Sequence, residues 1–334
     1  MIEIKNEKIT GLKKLKEDSE ILSLRPNLLS EFIGQKTLKL NLNTFIQASI
    51  KKKTILDHVI FYGPPGLGKT TLAKIVSNEK KTNIHITSGP AFTKKGDLVT
   101  LLSNLSNGDI LFIDEIHRLS PIIEETLYPA MEDFKCDYVI GSGPSARVMQ
   151  ISVEQFTLIG ATTRLGLLSR PLRDRFGIPL QLSFYKPEDL KIIIIKVAKL
   201  MKVHINEEAA IEIAIRSRGT PRISIRLLKR TIDFAVVKDS GKIDVEIVNQ
   251  SLKNLKIDAL GLDEMDRKYM NCIVKNYEGG PVGIENLSAA LLEEKDILED
   301  VVEPFLIQKG LVQRTSRGRV LSKKGLLHIE NHKG

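Results

Sequence analysis

Cysteine is scarce in this chain. Cys136 and Cys272 are the only two in 334 residues, far apart and without paired spacing. That excludes a disulfide framework and a zinc ribbon, and it suits a reducing cytoplasm. The six histidines form no H-E-x-x-H pattern. His328 and His332 stand four apart, in a stretch that reads as a solvated tail and not as a metal site. Long apolar runs are missing too. With 42% hydrophobic residues and no run of bilayer length, the chain reads as soluble, without a membrane partner, and able to bury real cores. The first ten residues, MIEIKNEKIT, lack the apolar stretch a signal peptide needs. Negative charge is the last deficit: 41 acids stand against 50 lysines and arginines, a net charge of +9. Such an excess points toward a polyanionic partner. It is concentrated, because from Leu306 onward seven basic residues face one acid, whereas Asp263 to Glu303 is acid-rich.

What the chain does carry starts at His58. The stretch HVIFYGPPGLGKTTLAKIV reads as a buried strand, Val59 to Tyr62, then a glycine loop and a helix opening at Lys69. Gly63 to Thr70 fills every defined position of the P-loop pattern G-x-x-x-x-G-K-[ST]. Gly66 and Gly68 permit backbone conformations that turn N–H groups toward a phosphate. The following helix adds unpaired N–H groups and its positive dipole end. Lys69 is placed to reach the β- and γ-phosphates, the Thr70 hydroxyl to take a Mg²⁺ position, and Thr71 to contact the α-phosphate. The pattern predicts a site for a nucleoside triphosphate.

A buried strand, Asp109 to Glu115, ends in two acids, and ligands of parallel sheets lie at such strand ends. Asp114 is the candidate Mg²⁺ ligand and Glu115 the group that polarises the attacking water. Glu132, Asp133 and Phe134 end a helix. Cys136 to Val153 reads as a hairpin around the turn Gly141–Ser145. A second buried strand, Thr157 to Ala161, runs into Thr162, Thr163 and Arg164, polar residues suited to sensing a γ-phosphate. Arg173 and Arg175 follow in a loop. The alternation up to Tyr185 predicts an α/β fold with a doubly wound sheet.

Beyond Pro187 the pattern is wholly helical. Asn206 reads as the cap of the second helix, and Gly219-Thr220-Pro221 closes it and opens a third. Arg222 stands in the first turn of that third helix, while Arg226, Lys229 and Arg230 read as a solvated basic face. After a fourth helix, Val245 to Leu255, the residues Ile257 to Leu262 read as a linker. Three further helical patterns follow, Glu264–Asn276, Ile284–Leu292 and Ile297–Lys309, the last kinked or restarted at Pro304. LVQRTSRGRVLS then forms a hairpin with Arg314, Arg317 and Arg319 at its tip. Helices followed by a basic two-strand wing predict a winged helix that meets DNA. The expected division is 1–185 as the nucleotide domain, 186–257 as an all-α lid and 258–334 as the winged-helix head.

RPNLLSEFIGQ, FYGPPGLGKTTLA, LFIDEIHRL, VIGSGPSAR, FTLIGATTRLGLLSRPLRDRFGI, GTPRISIRLLKR and RTSRGR together resemble the RuvB family of AAA+ ATPases, bacterial motors of Holliday-junction branch migration. The likeness runs in order from about residue 23 onward. It implies an ATP- and Mg²⁺-dependent motor, a homo-hexameric ring that translocates duplex DNA at Holliday junctions. By the same resemblance Leu24, Arg25 and Tyr185 would frame the adenine, and Gly66, Lys69, Thr70 and Thr71 would hold phosphates and metal. Asp114, Glu115 and Thr163 would serve metal, water and γ-phosphate. Arg222 would be the lid's sensor arginine and Arg175 the finger reaching a neighbour's ATP, with Glu132, Asp133 and Phe134 at that interface. The 136–153 hairpin would dock RuvA, the resolvase RuvC would join the complex, and Arg314 and Arg319 would touch DNA. Three positions depart from the family pattern: Arg170 before Pro171, Phe305 in place of tyrosine, and the closing GLLHIENHKG.

Two other readings fit parts of the chain. A clamp loader would carry a serine-arginine-cysteine finger motif, but Ser169-Arg170 is followed by proline. An ATP-gated initiator would use its winged helix for sequence readout and turn over ATP slowly.

Overall fold

Parallel strand pairing organises the part of the chain around the glycine loop. The computed structural model describes residues 25–140, 147–238 and 241–331, so Leu24, the turn Gly141–Ser145 and His332 lie outside it. The chain divides into two compact units, the residues up to Gly63 with Gly68–Leu182, and Pro64–Leu67 with Ser183 onward.

In the first unit, strands β1 (Val59–Tyr62), β2 (Ile84–Ser88) and β3 (Ile110–Asp114) precede a separate antiparallel pair, β4 (Lys135–Ile140) and β5 (Arg147–Ser152). Strands β6 (Thr157–Thr162) and β7 (Ile178–Gln181) complete a five-stranded parallel sheet of order β2-β3-β6-β1-β7. β6 is buried along its whole length because it is inserted between the loop strand and the acid strand. Its Ile159 pairs with Val59 on one side and with Phe112 on the other. Tyr62, Asp114 and Thr162 therefore finish at one edge of the sheet, where the glycine loop begins. A side chain at Gly63 (φ +138°) would put its Cβ 2.4 Å from the Leu182 carbonyl oxygen, so this strand end admits only glycine.

The apolar faces of the helices close the sheet. In the loop helix, Lys69–Lys80, residues Leu72, Ala73, Ile75 and Val76 are buried. On the helix Pro121–Glu132, Ile123, Leu127, Ala130 and Met131 join a core with Leu111, Ile113 and Leu158. The helix Lys95–Ser103 has no counterpart in the sequence reading, since Gly96 and a polar first turn hide it. What starts it is the Asp97 carboxylate, which accepts the N–H groups of Thr93 and Lys94 at 3.1 and 3.0 Å. His58 is also structural. Its Nδ1 accepts the Leu158 N–H at 2.9 Å and its Nε2 faces the Met131 carbonyl at 3.0 Å, which sets a neutral imidazole in the core.

The second unit opens with four helices, Pro187–Leu200, Glu207–Ile215, Pro221–Val237 and Val245–Asn254. Thr220 caps the third by accepting from the Ile223 N–H at 3.4 Å. Asn206 stands at the expected cap position but makes no side-chain cap bond. The stretch read as a linker is an ordered turn. Asp258 Oδ1 accepts the N–H groups of Leu260 and Leu262 at 2.9 Å each, and Leu262 is buried. Arg218, buried beside it, donates to the Gly261 carbonyl at 3.1 Å and pairs with Asp263 and Asp266.

Helices Glu264–Tyr277 and Ile284–Leu291 follow, then a helical stretch that changes pitch. An α-turn at Lys295–Ile297 passes into a π-turn, Leu298–Val302, before an α-helix resumes at Glu303–Gln308. Pro304 sits in the first turn of that last piece. The wider π-turn accommodates the proline, which has no N–H to give and would clash in a regular helix. The hairpin β8 (Val312–Thr315) and β9 (Gly318–Leu321) then turns over two residues. The closing stretch is not a solvated tail. Lys323–Asn331 is a helix with Ile329 buried, and His328 Nε2 meets Asp258 Oδ2 at 2.9 Å with only 11% of its side chain exposed. Among the described residues no helix is long and apolar enough to cross a membrane.

Candidate nucleotide and DNA sites

At the sheet edge, the first unit assembles the loop lysine, a hydroxyl and two acids. Lys69 is buried, and its Nζ donates to the Gly63 carbonyl at 2.8 Å. The Thr70 hydroxyl lies 3.3 Å from Asp114 Oδ2, bringing together residues 44 positions apart. Asp114 Oδ1 accepts the Glu115 N–H at 3.0 Å, so the backbone of the next residue helps to hold its rotamer. Hydroxyl and carboxylate oxygens at this spacing form a hard donor pair suited to a Mg²⁺ ion. Thr71 is buried one position further along the helix.

Glu115 sits in the left-handed region, φ +49°, at the start of the 3₁₀ turn Ile116–Arg118. For a residue other than glycine, asparagine or aspartate this conformation is uncommon, though helix ends of this chain adopt it too. Opposite it, a Cβ on Gly89 would stand 2.5 Å from the Glu115 carbonyl oxygen, so the two backbones meet only because residue 89 is glycine. Thr163 follows β6 directly and is partly exposed. Its neighbour Thr162 is fully buried; its carbonyl accepts the Gly63 N–H at 3.2 Å. The Thr162 hydroxyl meets His117 Nδ1 at 2.9 Å, and His117 Nε2 lies 3.4 Å from Glu115 Oε2. Thr162 was read only as one of the strand-end polar residues suited to a γ-phosphate, and His117 was not legible as a site residue at all. The only local signal was a histidine two positions after the glutamate.

Arg175 is held against its own unit. Nη1 donates to the Pro171 carbonyl at 2.9 Å and Nη2 to Glu132 at 3.1 Å, and the guanidinium lies over the Tyr128 ring. Its side chain is 22% exposed, whereas Arg170 is 84% exposed and paired with Asp174 at 3.5 Å. Asp133 is exposed, and Phe134 (φ +53°) packs edge-on against Phe156.

In the second unit, Arg222 opens the helix Pro221–Val237, and its N–H reaches the Gly66 carbonyl at 3.4 Å. Gly66 takes a left-handed φ of +79° that favours glycine, and a Cβ on it would stand a tight 3.1 Å from that of Arg222. The Tyr185 hydroxyl donates to the Leu67 carbonyl at 3.2 Å, and the residue is buried. Arg25, in the first unit, is partly exposed.

The hairpin arginines are not free ends. Glu303, fully buried, accepts from the Tyr269 hydroxyl at 2.8 Å, from Arg314 Nε, and from Arg319 Nε at 3.0 Å. Arg319 also reaches Glu299 at 2.7 Å and is only 13% exposed, while Arg314 is about half-exposed. Arg317 is exposed at the turn. This carboxylate support came from the acid-rich stretch that the sequence reading set apart from the wing.

A family model described as the Holliday junction DNA helicase RuvB P-loop domain matches residues 24–182. The RuvB AAA lid domain matches 185–258, and the RuvB C-terminal winged helix domain matches 259–330. A Rickettsia africae protein named Holliday junction branch migration complex subunit RuvB is 54% identical over 314 residues, 94% of this chain and 92% of that one. Its namesake in Rhodospirillum centenum is 53% identical over 93% of this chain and 86% of its own length. Among solved structures, the Thermotoga maritima RuvB Holliday junction branch migration motor superposes with a TM-score of 0.86 at 50% identity, covering 92% of this chain and 98% of that one.

Proposed function

The chain belongs to the RuvB family, and from that premise we propose that it is the ATP-driven motor of Holliday-junction branch migration. The observation that carries the chemistry is the meeting of Thr70 with Asp114 at 3.3 Å beside Lys69 on a complete P-loop. Thr70 and Asp114 would hold Mg²⁺, which supplies charge neutralisation at the β- and γ-phosphates. Lys69 and the N–H groups of the loop bind and orient the phosphates, with Thr71 further along the helix. Glu115 takes up a proton from the attacking water, Thr163 reads the γ-phosphate from the end of β6, and Arg222 does so as the lid's sensor. Arg25 and Tyr185, with Leu24, frame the base.

The working form is a homo-hexameric ring in which Arg175 completes a neighbour's site, with Glu132, Asp133 and Phe134 at that interface. Arg314 and Arg319, oriented by Glu303, hold duplex phosphates. The β4–β5 hairpin docks RuvA, RuvC joins the resolving complex, and the work is done in the cytoplasm on a nucleotide domain to residue 185, a lid to 257 and a head beyond.

The test is the ATPase rate without DNA, with linear duplex and with a four-way junction, each with and without RuvA. Expected are stimulation by DNA, junction unwinding that needs ATP, and loss of both in a folded Lys69→Ala protein. Slow turnover with binding confined to one duplex sequence would instead identify an initiator.

A further inference from the structure

We infer that His117 is a positioning residue, holding the Glu115 carboxylate in place and tying it to the end of β6. The inference rests on the reading of Glu115 as the group that activates water. Glu115 itself cannot be held by its strand: it lies one residue past β3, in a left-handed conformation, on a short 3₁₀ turn. Its carboxylate is about a third exposed, and a glutamate side chain has three torsions to fix. A base that must face one water needs an outside contact.

His117 supplies it. The 3₁₀ turn, closed by the Arg118 N–H on the Glu115 carbonyl at 2.9 Å, brings residue 117 back over residue 115. The imidazole is 8% exposed, so packing limits its rotamers. In the tautomer that serves this role Thr162 donates its proton to His117 Nδ1 at 2.9 Å while its oxygen accepts the Arg164 N–H at 3.0 Å. Nε2 then carries the ring hydrogen and lies 3.4 Å from Glu115 Oε2. That distance is longer than a formed hydrogen bond and closes with a small side-chain rotation. With that contact closed, one carboxylate oxygen is occupied and the other left for water.

The far end of the relay matters equally. Thr162 is the last residue of β6 and adjoins Thr163; its carbonyl receives the first N–H of the glycine loop. A displacement of the β6 end on phosphate binding therefore reaches the glutamate through two side chains, Thr162 and His117. All of these contacts lie within the first unit.

The experiment uses the full chain with duplex DNA over a range of ATP concentrations up to saturation, and compares His117→Ala, His117→Gln, Thr162→Val, Glu115→Gln and the pairs. His117→Ala is expected to lower kcat about tenfold with KM and nucleotide affinity unchanged, the size typical of a coupled neighbour. Thr162→Val should match it, and the double variant should lose no more than either. His117→Gln, which keeps a donor near Nε2, should recover most of the rate. In a Glu115→Gln background, His117→Ala should have no further effect. A His117→Ala enzyme with normal kcat overturns the inference, as does a loss that adds in full to Glu115→Gln or that appears with an equal fall in nucleotide affinity. A Glu115→Gln protein with normal turnover would instead remove the reading of Glu115 beneath it, and so separates the two failures.

Discussion

The guanidinium of Arg175 lies 4.5 Å from the centroid of the Tyr128 ring and donates to Glu132 from one side. A cation over an aromatic face, with a carboxylate at its edge, is held in place by its own chain. Arg175→Ala should therefore bind ATP normally and lose turnover by about 10³-fold or more if it acts in trans. Mixing it with Lys69→Ala should restore part of the rate, because some interfaces then pair an intact loop with an intact arginine. Rescue of Arg170→Ala in its place would transfer the role to the exposed residue.

The wing separates into two roles. Arg317 stands exposed at the turn, so Arg317→Ala should reduce the log–log salt slope of duplex binding by about 0.9, one phosphate's share, with the melting temperature unchanged. Arg319, besides its proposed phosphate contact, balances the buried Glu303, so Arg319→Ala should flatten the salt slope and also cost the head at least about 2 kcal/mol through an undercompensated charge. Denaturant unfolding and salt titration on two unrelated duplexes measure these separately. Equal losses for all sequences are expected of a translocating motor.

Among the described residues the β4–β5 pair forms no ladder with the central sheet, and Met149 on it is exposed. Met149→Glu should leave the DNA-free ATPase unchanged and abolish stimulation by RuvA with a junction. Equal loss of both activities would make the hairpin part of the catalytic fold.

Acid should weaken the first unit through His58. Burial lowers its pKa from the ordinary 6.5, outweighing the Met131 carbonyl and Asp57, which act to raise it. The folded value is thus below the unfolded one. Its stabilisation is present in full above the unfolded value and is lost as pH falls through the lowered folded value, because the unfolded chain takes up the proton first. Unfolding free energy measured from pH 7.5 down to 5 should fall below pH 6.5, and His58→Gln should remove that part of the fall.

Much of the site was legible in local sequence. The glycine loop, the acids closing a strand and the arginine opening a helix each declare themselves within about eight residues, because backbone conformation and strand ends are local properties. The helix Lys95–Ser103 escaped because its start depends on one carboxylate capping two N–H groups, and a polar first turn with glycine masks the periodicity. The His328 reading failed for a longer-range reason: its partner Asp258 lies 70 positions away, and the last helix is amphipathic only once that surface is present.

By itself the sequence determined which residue types this protein could bring to a nucleotide and in what order along the chain. Only the tertiary structure decided which side chains meet. Thr162 reaches His117 across 45 positions, Leu158 reaches His58 across 100, and Tyr269 reaches Glu303 across 34. Periodicity shows that a strand is buried, but it does not show which strands lie on either side. Insertion of β6 between β1 and β3 is a choice among strand orders made by the packing of whole helices on the sheet. That choice places a threonine hydroxyl against an imidazole, and the imidazole against the glutamate.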